Sequence, residues 1–157
     1  MKYEGIEDML WIHESNAIEN IYDEKEDNRS YKAWIELLEV DNLTVKNILK
    51  LHYDIMCKLN PKIAGKIRTC EVVVGNYLCL HYSTLNSTLD TWIMSQAFDD
   101  TFLDIKKSHI SFEKMHPFED GNGRVGRMLM NWALVKRGKP PCVILEKGKY
   151  IYYKWFR

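Results

Sequence analysis

The chain has 157 residues, of which 46% are hydrophobic and 28% charged. That length is expected to make one domain, 1–157, burying roughly 70% of the surface exposed by the unfolded chain, so its core needs neither disulfides nor a structural metal. The 22 basic and 22 acidic residues cancel, which argues against a protein built to bind nucleic acid or an anionic membrane and leaves room for a small basic site.

The hydrophobic periodicity is mostly helical, predicting a mainly α fold with a single β-hairpin. A first helix is predicted over Ile6–Tyr22, with Ile6, Met9, Leu10, His13, Ala17, Ile18 and Ile21 as its apolar stripe. The polar run Asp23–Ser30 reads as a solvated connection, followed by a helix within Tyr31–Glu39. Another helix starts near Asn42 or Thr44, runs through Ile48, Leu51 and Ile55, and should stop before Asn60-Pro61, because the residue before proline avoids the helical region. Cys70–Leu80 is short, β-branched and interrupted by Gly75-Asn76, which is a hairpin signal. Helical pattern resumes from Leu89 to Phe112. A further helix is predicted over Gly123–Arg137 with Val125, Met128, Leu129, Trp132 and Ala133 inward, stopped by Gly138 and Pro140. Tyr150–Arg157 has room for one or two more turns. No apolar run nears the roughly 18 residues that span a bilayer, and the N-terminus does not resemble a signal peptide, so a cytoplasmic location is expected. Cys57, Cys70, Cys79 and Cys142 lack zinc spacing and read as buried free thiols of a reducing compartment.

The segment His116-Pro117-Phe118-Glu119-Asp120-Gly121-Asn122-Gly123-Arg124-Val125-Gly126-Arg127 carries the chemistry. A glycine turn at a helix start leaves the first N–H groups of the helix without intrahelical partners, free to meet an anion. Arg124 and Arg127 project from one face of that helix and complete a polyphosphate cradle. Asp120 suits Mg²⁺, which takes one or two carboxylates beside bound phosphates. His116 stands where an imidazole could take a proton from a hydroxyl.

This segment matches HxFx[DE]GNGRxxR, the signature of the Fic family, at every fixed position. Eight matched residue types at about 5% usage give a chance on the order of 10⁻¹⁰ per start position. The resemblance implies a Fic-type helical bundle with one β-hairpin flap, acting as a protein adenylyltransferase that moves AMP from ATP to Ser, Thr or Tyr hydroxyls. It implies His116 as general base, Phe118 as loop anchor and Asp120 as Mg²⁺ ligand. Gly121, Asn122 and Gly123 would bind the α- and β-phosphates with Arg124 beside them, and Arg127 would grip the γ-phosphate. The related Doc kinases carry lysine in the glycine turn, whereas Gly123 fits AMP transfer.

Ser15-Asn16-Ala17-Ile18-Glu19-Asn20 fits [ST]xxxE[GN], which autoinhibited Fic proteins carry. By that resemblance, residues 1–24 form an N-terminal inhibitory helix in which Ser15, Glu19 and Asn20 constitute the inhibitory motif and Glu19 pairs with Arg127. Relatives with this device can also remove AMP. Residues 65–81 resemble the flap whose edge aligns a target segment by main-chain pairing, with Val72, Val73, Val74 and Gly75 bordering the nucleotide. Residues 89–139 hold the catalytic core, and Tyr152 and Tyr153 resemble the start of the helix that holds adenosine. Two departures stand out: the proline-rich stretch after the flap is replaced by Leu80–Thr84, and the segment that usually follows the adenosine helix is missing. Phosphate binding is therefore better secured than adenine binding. Expected partners are ATP and a protein substrate; self-modification and a homodimer are left open. The alternatives are a Fic-fold transferase using another nucleotide-linked donor and a non-catalytic nucleotide-sensing module.

Overall fold

The computed structural model describes residues 5–157; the first four residues of the expected 1–24 segment lie outside them. Among the described residues, seven α-helices form a bundle in which six surround or support one central helix. They are α1 (Gly5–Ile18), α2 (Glu24–Leu38), α3 (Val45–Met56), α4 (Leu85–Ser95), α5 (Phe102–Met115), α6 (Asn122–Lys136) and the short α7 (Lys149–Tyr153). Between α3 and α4 lies a hairpin of β1 (Val73–Val74) and β2 (Tyr77–Leu78), antiparallel, with Val73 opposite Leu78 and Val74 opposite Tyr77. The mainly α reading with one hairpin holds.

Helix α6 is the centre of the bundle. Every residue from Arg124 to Leu134 is buried, and it packs against α1, α2, α3 and α5. A helix with an apolar face on one side only would sit at the surface. Here Val125, Met128, Leu129, Trp132 and Ala133 are buried as expected, and Met130, Leu134 and the polar Arg124, Arg127 and Asn131 join them. Trp34, Phe112, Ile48, Ile55 and Leu89 are fully buried around it, each worth roughly 1.5–3 kcal/mol of transfer free energy. Trp11 and Trp34 meet edge to face at 4.9 Å and fix α1 to α2.

Three local expectations are corrected. The expected stripe on α1 holds only at its C-terminal end: Ala17 and Ile18 are buried, but Ile6, Leu10 and His13 are exposed, and Asp8, Trp11, Ile12, Ser15 and Asn16 are buried instead. Polar groups line that buried face because partners await them; Asn16 Nδ2 donates to Asp27 Oδ1 at 2.8 Å and Trp11 Nε1 to Asp8 at 3.2 Å. The helix also ends sooner than Tyr22. Ile21 N–H reaches Asn16 O at 3.1 Å around Asn20, which is left-handed at φ 60°, a helix-terminating role that asparagine fills after glycine.

The second correction concerns Asp23–Ser30, which is the first two turns of α2 rather than a loop. Asp23 is its N-cap, accepting from Lys25 N–H at 2.8 Å, and Glu26, Asp27 and Ser30 are buried. Third, the stretch 89–112 is interrupted. Helix α4 ends at Ser95 and α5 begins after Thr101, whose hydroxyl and backbone form a capping box with Asp104. The indole of Trp92 bridges the break by donating to Ser108 O at 2.9 Å. The remaining boundaries agree closely, with Thr44 capping α3 and Arg137-Gly138 closing α6. All four cysteines are free, and Cys70 is exposed rather than buried.

Candidate active site

The functional loop joins α5 to α6. Helix α5 stops because His116 turns left-handed, at φ 50° and ψ 63°, with its N–H still bonded to Phe112 O at 3.0 Å. Such a conformation is unfavourable for a residue with a Cβ, and the loop around it is stapled. Phe118 is fully buried and stacked on His52 with centroids 3.8 Å apart. The Asn122 amide bonds both main-chain groups of Phe118, accepting from N at 2.9 Å and donating to O at 2.8 Å. Burial drives the pKa of His52 down to about 4, so its ring is neutral. Nδ1 accepts from Gly65 N–H at 2.9 Å, and Nε2–H therefore donates to Asp120 O at 2.9 Å. Gly121, at φ 83°, makes the turn into α6 where a side chain would press on Met56 and His52.

The His116 imidazole is half-buried and faces a cavity of about 360 Å³. Its Nδ1 lies 3.2 Å from Glu113 O; the carbonyl can only accept, so Nδ1 carries the hydrogen and Nε2 the lone pair. Burial lowers the pKa of this ring, which keeps it neutral and able to take a proton. Gly123 opens the floor of the cavity. A Cβ there would meet Glu19 Oε1 at 2.5 Å and Arg127 Nη1 at 2.9 Å, so a carboxylate rests against the bare start of α6, where the helix favours an anion.

That carboxylate is paired. Arg127 Nη2 donates to Glu19 Oε1 at 2.7 Å and to Ser15 O at 2.9 Å, while Nε donates to Ser15 Oγ at 2.8 Å. Arg127 side-chain exposure is 3%, against 38% for Glu19. Burial opposes the charge of Arg127, but Tyr152, Glu19 and Glu113 outweigh it and its pKa is raised. Arg124 is equally buried and differently served. Nη2 touches the Met56 sulfur at 2.8 Å, and Nε and Nη1 have no partner among the described residues; burial pushes its pKa down. Two such nitrogens beside a helix start are suited to an oxyanion.

The rest of the cavity wall comes from the hairpin (Val74, Tyr77), from α5 (Glu113, Lys114) and from the C-terminal turns (Tyr152, Tyr153, Phe156). Burial holds the phenol of Tyr152 protonated. It lies 2.8 Å from His109 Nε2, and burial takes that histidine's pKa down to about 3, so the phenol donates to a neutral ring. Arg127 Nη1 approaches the same oxygen at 3.5 Å. Glu113 has one carboxyl oxygen buried without a partner among the described residues. Burial and the charge of Glu19 raise its pKa to about 7 against the opposing pull of Arg127.

Residues 42–134 match the Fic/DOC family. The chain belongs to that family. It is 33% identical over 124 residues to the protein adenylyltransferase Fic of Aedes aegypti, covering 74% of this chain and 24% of the relative. With the Drosophila melanogaster protein of the same name the identity is 29% over 127 residues, covering 77% and 26%. The chain thus spans about a quarter of the length of these curated relatives. Among solved structures, Fic-1 (residues 134–508) of C. elegans superposes with a TM-score of 0.75 at 21% identity, covering 93% of this chain and 53% of that one. A Fic domain containing signaling protein from Bacteroides thetaiotaomicron gives 0.76 at 20%, covering 93% and 69%. The fold is therefore the Fic fold.

Within this Fic domain, His116, Gly123, Arg127, Glu19, Val74, Tyr152 and Tyr153 are brought to one cavity. Val72, Val73 and Gly75 do not line it: β1 alternates, and Val74 is the residue that turns inward. Asn122 spends its side chain on Phe118 and has only its backbone left for an anion. Asn20 does not touch Arg127 and serves as the helix terminator instead. Sequence reasoning passed over Tyr77, Phe156, Glu113 and Arg68. Tyr77 had a signal, being the cross-strand partner of Val74 in a hairpin centred on Gly75-Asn76.

Proposed function

We propose that this Fic domain transfers AMP from ATP to a hydroxyl group of a protein, and that Glu19 restrains it. The observation that carries the reading is the cavity in which a neutral His116, the start of α6 at Gly123 and Arg127 converge; Arg124 lies one turn back on α6, outside the cavity lining. The names of the curated relatives favour AMP transfer over other phosphate chemistry.

The phosphates would lie over Gly121, Asn122 and Gly123, where the first N–H groups of α6, from Asn122 on, and Arg124 would receive their charge. Arg127 would take the γ-phosphate in place of Glu19. A Ser, Thr or Tyr hydroxyl would enter beneath the hairpin, and Nε2 of His116 would remove its proton as the oxygen attacks the α-phosphorus. The bond to the bridging oxygen of pyrophosphate breaks, leaving an AMP ester and pyrophosphate. Asp120 is exposed at the tip of the loop, with one oxygen on Gly121 N–H at 2.6 Å, and a single hard carboxylate beside phosphates fits Mg²⁺. Bound there, the ion would offset phosphate charge.

Glu19 restrains the reaction by two effects. It removes the γ-phosphate ligand, and its own charge repels the nucleotide from the same place. The test uses Glu19→Gly protein with ATP labelled in turn at the α- and γ-phosphate. Label from α alone on a protein acceptor supports AMP transfer. Label from γ would make it a kinase, and no transfer of either would leave a nucleotide sensor.

A further inference from the structure

Arg68 precedes the hairpin and is 2% exposed, with every hydrogen bond of its guanidinium ending on a main-chain carbonyl. Nε donates to His116 O at 2.7 Å, and Nη1 to Cys70 O at 2.7 Å. Nη2 donates to Leu80 O and, at 3.4 Å, to Met115 O. The main chain adds Arg68 N–H to Pro117 O at 3.0 Å. These acceptors belong to three different places. Cys70 and Leu80 are the two arms of the hairpin at its base, and Cys79 N–H to Val72 O at 3.0 Å is the rung just above them. Met115 and His116 are the end of α5, where carbonyls lack helical partners and the dipole favours a cation. Pro117 begins the catalytic loop.

We propose that Arg68 is a positioning residue of the active site: one guanidinium fixes the main chain of His116 and both arms of the hairpin to a single point, so that a target strand laid on the hairpin meets the histidine in a set register. The proposal rests on the AMP-transfer reading for its catalytic consequence, though not for its structural one. A planar fork with donors on three nitrogens can span these carbonyls, whereas a lysine ammonium is a single point and cannot. Among the described residues, the left-handed His116 is otherwise held on its own main chain only by its N–H bond to Phe112, so the Arg68 contact to its carbonyl supplies the other half of its fixation.

The charge of Arg68 also reaches the imidazole. Burial is the main cause of the low pKa of His116, and Arg68 lowers it further. The opposing groups are the Glu113 carbonyl on α5, Asp120 in the loop and Glu19 at the end of α1. A variant that loses the fork but keeps the charge is thereby separable from one that loses both.

The experiment compares Arg68→Lys and Arg68→Gln in Glu19→Gly protein, with ¹³C-histidine NMR titration of His116 beside AMP-transfer kinetics. Arg68→Lys should leave the His116 midpoint in place and reduce kcat about 10–100-fold, the scale of a small misplacement of a reacting group, with the KM for ATP changed less than about twofold. Arg68→Gln should reduce kcat similarly and move the His116 midpoint upward. A kcat for Arg68→Lys within about twofold of the parent overturns the proposal, and so does an unmoved His116 midpoint in a folded Arg68→Gln. If Arg68→Gln does not fold, Arg68→Lys decides alone. If the parent transfers no AMP, the catalytic reading fails, and hydrogen exchange decides the rest: hairpin and loop amides losing protection together in Arg68→Lys supports the anchor, and unchanged protection overturns it.

Discussion

Arg124 and Arg127 stand one turn apart on α6, both nearly sealed from solvent, yet their guanidinium groups are in opposite states. Arg127 is fully engaged, by Ser15, Glu19 and the oxygen of Tyr152. Arg124 has a sulfur contact and two nitrogens without partners among the described residues. An unpartnered buried charge is expensive, and a paired one is tolerable only while its partner stays. The difference locates what α1 does: it satisfies the guanidinium of Arg127 and leaves that of Arg124 without a hydrogen-bonding side chain or main-chain oxygen. A ligand arriving at this site would find Arg124 already oriented and would have to evict Glu19 to reach Arg127.

The largest expected effect ignores both arginines. His116→Ala, made in Glu19→Gly protein, should lower AMP transfer by about 10²–10⁴-fold, read as α-labelled product; a loss below tenfold would remove His116 from its role. Next, Glu19→Gly alone narrows the difference by opening a position on Arg127, which keeps its bonds to Ser15. Transfer should rise by at least about tenfold, equivalent to ~1.4 kcal/mol of relieved competition, and equal rates in mutant and wild type would end the brake reading. The third test sets the arginines against each other without nucleotide. Arg127→Met should destabilise the fold by about 1–3 kcal/mol, because Ser15 and Glu19 lose their donor. Arg124→Met should be neutral or stabilising, since it removes a buried charge whose Nε and Nη1 lack hydrogen-bond partners among the described residues and whose burial outweighs the nearby carboxylates. Denaturant midpoints measure both, and changes of the same sign and size would erase the contrast.

The smallest effect concerns Glu113, which lies near enough to Arg127 and Glu19 for their charges to act on it. Burial raises its pKa from 4.5 to about 7. Between those values the folded protein holds a proton that the unfolded chain has released. This carboxyl's contribution is therefore present below pH 4.5 and lost as pH rises through about 7. Glu113→Gln should be more stable than wild type at pH 8, on the order of 1 kcal/mol, and the advantage should vanish near pH 5. The buried, neutral His52 and His109 act oppositely. Their stability is lost as pH falls from the ordinary 6.5 toward about 4 and 3, so acid unfolding should steepen in that window.

Much of the candidate site loop was legible because its pattern is local: a glycine turn, a helix start and two arginines at helical spacing lie within twelve consecutive residues. The pairing of Glu19 with Arg127 was legible only through a family motif, since no periodicity links residues 108 apart. Arg68 was not legible as a functional residue, because its partners are carbonyls, and carbonyls carry no sequence identity. On α1 the apolar pattern marks only Ala17 and Ile18 of the buried face, and for a physical reason. Its buried face is polar where Ser15 and Asn16 meet Arg127, Asp27 and Ser30, so apolar periodicity pointed elsewhere. The break before α5 did leave a sign, in Thr101 and Asp104 at capping-box spacing, obscured by apolar residues on both sides.

Helix α1 supplies Trp11, Ile12, Ala17 and Ile18 to the buried interior and Glu19 to the cavity. If Glu19 acts as the proposed restraint, it cannot leave with the whole helix without dismantling that interior. It can leave as a helix end: Glu19 lies one residue beyond the last helical position, just before the left-handed Asn20. Helix ends open and close locally at free energies far below global unfolding, on nanosecond to microsecond timescales. Catalytic output would then follow the fraction of time that this terminus stands open, a population that any contact on the exposed side of Glu19 or Asn20 could bias.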